Sequence, residues 1–114
     1  MRIGAVLLTA LALVVATGHA RASGFATYFA NLSATGAVSI SSGVQTTVRA
    51  GVGVYNVTFV RRIINCGFTV SVTGPTPGYA SVNRTSGRAV TVFTFLKNGT
   101  AHNLPSNIIL VCGP

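Results

Sequence analysis

The chain has 114 residues, with eight Lys and Arg, no Asp or Glu, and a formal net charge of +8. Apart from the terminal carboxylate on Pro114 it has no acid group. It therefore cannot build side-chain ion pairs, the paired carboxylates of a glycosidase, an acid-oriented serine triad, or an Asp/Glu site for calcium or magnesium. Its hydrophobic fraction of 49% argues against a disordered polycation, and its length holds one domain.

In chain order, Met1-Arg2 is a short basic start, followed by an apolar run of Ala, Leu and Val from Gly4 to Gly18 and by Ala20-Arg21-Ala22. These are the three parts of a secretory signal peptide, so residues 1–22 are expected to be cleaved, with Ser23 as the mature start. The competing reading is a membrane anchor, but a spanning helix needs roughly 20 apolar residues and this run has about 15. Cleavage removes Arg2 and Arg21 and leaves no transmembrane segment. The mature protein is thus expected to be secreted, periplasmic or held in the cell envelope.

Residues 23–35 read as an N-terminal arm. Phe25, Tyr28, Phe29 and Leu32 fall close to helical i, i+3, i+4, i+7 spacing, whereas the Gly, Ser and Thr around them weaken a helix. A short amphipathic helix and an extended arm that packs its aromatics on the domain, or on a neighbouring subunit, both stay open.

From Gly36 to the C-terminus the pattern is β. Ala37–Ser41 and Val44–Arg49 are short strands around a Ser42-Gly43 turn, and Val54–Arg61 is the strongest strand, with Tyr55, Val57 and Phe59 at every second position. Gly67–Thr73 repeats that period with Phe68, Val70 and Val72. After the Pro75–Pro77 break come Tyr79–Asn83 and then Arg88–Leu96. In the latter, Ala89, Thr91, Phe93 and Phe95 share one face and Val90 and Val92 the other. Asn98-Gly99 is a hairpin turn pair, and Ile108–Cys112 is a continuous apolar run of the kind found in central strands. About seven antiparallel strands at this spacing predict a single small β-sandwich or jelly-roll-like domain, residues 36–114. Its expected core is Tyr55, Val57, Phe59, Phe68, Val70, Val72, Phe93, Phe95, Ile109 and Val111.

A chain of this size buries only about two-thirds of its unfolded surface, which leaves stability marginal. In an oxidising compartment Cys66 and Cys112 can offset that as a disulfide, closing a loop of about 47 residues worth roughly 4 kcal/mol in the chain-entropy model. Free thiols or a zinc site are the poorer alternatives, since two cysteines at this separation match no zinc spacing and His102 is the only histidine after residue 22.

Three features occur together: Gly-x-Tyr-x-Val-x-Phe at Gly53–Phe59, Cys66-Gly67-Phe68, and Asn98-Gly99 leading through Pro105 to Ile108–Cys112. Over roughly Gly36–Cys112 the chain resembles a loosely defined group of small β-domains in bacterial secreted and envelope proteins. That resemblance implies a fold and export, and no activity. The same strand pattern is similar, at the level of fold alone, to trimeric jelly-roll heads of fibres, which keeps a homotrimer in view.

Function is read mostly from what is missing. His102 lies in a polar stretch with no acid to orient it, so catalysis is not expected, nor is a cofactor or a metal. The basic residues after residue 22 are Arg49, Arg61, Arg62, Arg84, Arg88 and Lys97. Arginine suits bidentate contacts to phosphate and carboxylate, which makes Arg61, Arg62, Arg84 and Arg88 candidates for binding an anionic surface or polyanion. The plainer reading is that these charges keep an acid-free domain soluble. No nucleic-acid motif accompanies them, and the aromatics sit in strand phase rather than as a stacking platform. The sequons at Asn31, Asn56, Asn83 and Asn98 carry no weight, because Thr- and Ser-rich strands generate them by chance. Two readings remain. One is a secreted, non-catalytic structural or binding module of the bacterial exterior or envelope, compatible with a homo-oligomer. The other is a monomeric cationic factor that binds anionic surfaces.

Overall fold

In the computed structural model, which describes residues 25–114, the alternating segments pair into eight strands. These are β1 (Ala26–Leu32), β2 (Val38–Ser42), β3 (Val44–Gly51), β4 (Val54–Phe59), β5 (Cys66–Val72), β6 (Gly78–Arg84), β7 (Ala89–Leu96) and β8 (Ser106–Cys112). They form two four-stranded sheets of order β2-β1-β8-β5 and β3-β4-β7-β6, with every pairing antiparallel. The protein is an all-β sandwich. The expected signal segment, residues 1–22, lies outside the described residues.

The core lies between the sheets. Ala30 and Leu32 of β1 and Ile108, Leu110 and Cys112 of β8 face Tyr55, Val57 and Phe59 of β4 and Val90 and Val92 of β7. The period-two reading of β4 places its buried side chains correctly. In β5 the phase is also right, but Phe68, Val70 and Val72 are only half-buried, because β5 is an edge strand with one neighbour.

Two predicted phases are reversed. Ile109 and Val111 point outward at 45% and 50% exposure, while Ile108, Leu110 and Cys112 are fully buried. The disulfide decides this: Cys66 stands directly opposite Cys112, and burying that cysteine carries every second residue of β8 inward with it. In β7 the β-branched Val90, Val92 and Thr94 are buried, and Phe93 and Phe95 lie on the outer face. There Phe95 stacks on Tyr79 of β6, ring centroids 5.0 Å apart.

Over its described residues, 25–35, the predicted arm is neither a helix nor an appendage. Residues 26–32 are a central strand, bonded to β2 on one side and β8 on the other, which makes eight strands where seven are expected. Extended pairing satisfies two rows of backbone groups there and buries Ala30 and Leu32, which a lone helix of that length cannot do.

Tight spots between elements are closed by glycine. Gly53 opens β4 at φ +66°, and a Cβ there would meet the carbonyl of Thr94. Its amide donates to Asn103 Oδ1 at 2.7 Å and its carbonyl accepts from Thr94 N at 2.9 Å. Gly43, between β2 and β3, has φ +75° and lies against the ring of Tyr28, leaving no room for a side chain where the chain passes from one sheet to the other.

An arginine-bearing end of the sandwich

Arg61 and Arg62 sit on the connection from β4 to β5, residues 60–65, which crosses from the second sheet to the first. Arg84 is the last residue of β6, and Arg88 precedes β7 after the turn at 85–87. Because β4 and β7 run antiparallel, with Thr58 opposite Ala89, the end of β4 and the start of β7 lie side by side. All four candidate arginines therefore reach the same end of the sandwich.

The platform beneath them is pinned at many points. Ile63 is fully buried and plugs the 60–65 connection into the core. Its amide donates to Gly87 O at 2.8 Å, which ties the two arginine loops together. Phe59 N donates to Arg88 O, Val60 N to Gly43 O, and Cys66 N to Ile63 O. Gly113 N reaches Asn65 O at 3.1 Å, so the end of the chain leaves the sandwich here as well. The Cys66–Cys112 disulfide fixes the far end of the connection, and the described chain has no free cysteine.

The guanidiniums differ in how they are held. Arg84 Nη1 donates to Ile64 O at 3.2 Å, binding the β6 end to the neighbouring loop. Arg61 Nε donates to Arg62 O at 3.0 Å, and its guanidinium carbon lies 6.0 Å from the centre of the Tyr28 ring. Arg62 lies against the 85–88 turn, its Nε 4.0 Å from where a Cβ on Gly87 would stand. Among the described residues, the Arg62 and Arg88 side chains donate no hydrogen bond, and no Asp or Glu exists to pair with either. Their donor forks are free for a ligand.

The remaining candidates lie elsewhere. Arg49 near the end of β3 and Lys97 after β7 occupy the opposite end, where Val54 of β4 stands across from Phe93. His102 is exposed on the β7–β8 connection, and what it contributes is backbone: its carbonyl accepts from Thr94 Oγ1 at 2.6 Å. Among the described residues no group of three or more His, Cys, Asp or Glu could hold a metal ion.

Sequence reasoning missed two members of the arginine end. Val60 and Ile64 flank the Arg61-Arg62 pair and are 53% and 48% exposed. The signal was there in Val-Arg-Arg-Ile-Ile, where alternation breaks and an apolar residue falls on either side of the charges. No family model matches the chain, and no curated protein or solved structure matches it either.

Proposed function

We propose that the protein is a secreted, non-catalytic binding module of the bacterial exterior or envelope that engages anionic polymers through its arginine end. The observation that carries this reading is the convergence of Arg61, Arg62, Arg84 and Arg88 on one rigid end, in a chain with no acidic side chain to neutralise them. Like charges held together without counter-charges gather anions from solution, and a polyanion displaces those ions with a gain in entropy. Export is supported by the Cys66–Cys112 disulfide, a bond that persists in oxidising compartments.

The test is binding of the oxidised protein to long-chain polyphosphate. Reversing Arg62 and Arg88 to Glu should abolish it, whereas reversing Arg49 and Lys97 at the other end should leave most of it. Equal losses from both pairs would reduce the site to net charge and sink the reading.

A second reading, a self-assembling structural module, is favoured by a different feature. The outer face of the first sheet carries exposed Phe25, Ile40, Ile109 and Val111 with no charged side chain among the strands that form it. Light scattering decides it: a closed oligomer that Ile109→Ser and Val111→Ser dissolve would establish this reading, and a monomer at all salt concentrations would remove it.

A further inference from the structure

We infer that the anion met by the arginine end is a lipid surface, in which phosphate headgroups take the guanidiniums and the acyl boundary takes Val60 and Ile64. The inference rests on the polyanion reading of this end and goes past it to the ligand class. Its basis is the local mixture of side chains. In the 60–65 connection only Ile63 turns fully inward, and its burial leaves Val60 and Ile64 about half exposed beside Arg61 and Arg62. A soluble polyanion has no use for exposed aliphatic side chains on either side of the Arg61-Arg62 pair. An anionic membrane has two layers to offer, charge at the surface and hydrocarbon just beneath it.

The surrounding structure fits an interfacial role. Arg84 holds Ile64 O, Ile63 holds Gly87 O and Val60 holds Gly43 O, so the loop presents its apolar residues without first having to order. Phe25, just before β1, is also exposed, and β1 begins opposite Cys112, at the same end of the first sheet. Arginine further suits the place, because its guanidinium is weakly hydrated and grips phosphate with two donors at once.

Co-sedimentation with vesicles tests this, using neutral phosphatidylcholine and phosphatidylcholine mixed with phosphatidylglycerol, beside polyphosphate in solution. The wild type should bind the anionic vesicles and not the neutral ones. Val60→Ser combined with Ile64→Ser should weaken that binding by about tenfold, since interfacial affinity scales with buried apolar area. The same pair should leave polyphosphate binding unchanged. Arg62→Gln combined with Arg88→Gln should weaken vesicle binding by about twenty-five-fold, near fivefold for each charge removed at the surface. As an independent readout, Ile64→Trp in this tryptophan-free chain should show a blue shift in emission on anionic vesicles and none on polyphosphate. Binding to anionic vesicles that the serine pair leaves intact, or an Ile64→Trp emission that does not move, overturns the lipid inference while the polyanion reading stands. Failure to bind polyphosphate and vesicles alike overturns both.

Discussion

Tyr55 shows how one side chain serves core, loop and pH response together. Its ring is buried among the β4, β7 and β8 side chains, while its hydroxyl reaches Ala34 O at 2.8 Å and holds the β1–β2 connection against the sandwich. Burial pushes the phenol above its ordinary value of 10.0, more than the hydrogen bonding of Thr94, the charge of Arg49 and the backbone of Leu104 lower it. The folded state thus keeps a proton that the unfolded chain releases. Stability from this group should be complete below about pH 10 and be lost as pH rises through the folded value. Alkaline urea titrations of wild type and Tyr55→Phe check it. The variant should lose about 1 kcal/mol at neutral pH, the worth of one hydrogen bond, and fall less steeply in alkali. Parallel alkaline slopes would show that Tyr55 is not the group involved. Gly53 makes a second prediction at this scale. With φ +66° and the Thr94 carbonyl in the way of a Cβ, Gly53→Ala should cost more than the roughly 1 kcal/mol of an unfavourable backbone alone, read as a shift of the urea midpoint.

Among the elements, β8 and β1 mark where the sequence stops being legible. Tyr55, Val57 and Phe59 alternate with Asn56 and Thr58, so polarity itself announces which face of β4 is buried. Ile108–Cys112 has no polar residue to break the run, and its inward face is chosen by the partner of Cys112 across the ladder. In β7 the same ambiguity arises between Val90 and Val92 on one face and Phe93 and Phe95 on the other, and the smaller, branched pair fills the space between sheets. For β1, Phe25, Tyr28, Phe29 and Leu32 fit a helical stripe, yet the strand buries Ala30 and Leu32 and packs Tyr28 half-buried beside them, at every second position. The phase of β8 has a direct consequence. Ile108→Ala should destabilise by about 2–5 kcal/mol as a core truncation, and Ile109→Ala by well under 1 kcal/mol. Chemical denaturation of the two variants separates the faces, and equal losses would contradict the register.

At the scale of the whole domain, the described chain is a small sandwich with one covalent tie and four arginines gathered at one end. The tie joins positions 46 residues apart and anchors the connection that carries Arg61 and Arg62. Replacing Cys66 and Cys112 with Ala should lower stability by about 3–4 kcal/mol, most of what a domain of this size has to spare, as a drop in melting temperature. The arginine end itself is a product of topology. Arg61 and Arg62 stand more than twenty residues before Arg84 and Arg88, each pair beside a strand end in the sequence. That those ends coincide follows only from the antiparallel pairing of β4 with β7 and β7 with β6. Composition revealed that the charges had no acidic partners. It took the sheet order to bring them together.

The most direct test is the salt dependence of binding to a single-stranded nucleic acid, used as a generic polyanion, for wild type and Arg62→Gln/Arg88→Gln. Four arginine contacts predict a slope of log affinity against log salt of about −3, and removal of two should bring it to about half that value. A slope that the double variant leaves unchanged, or binding insensitive to salt, would contradict the account and return these arginines to the role of solubilising charge.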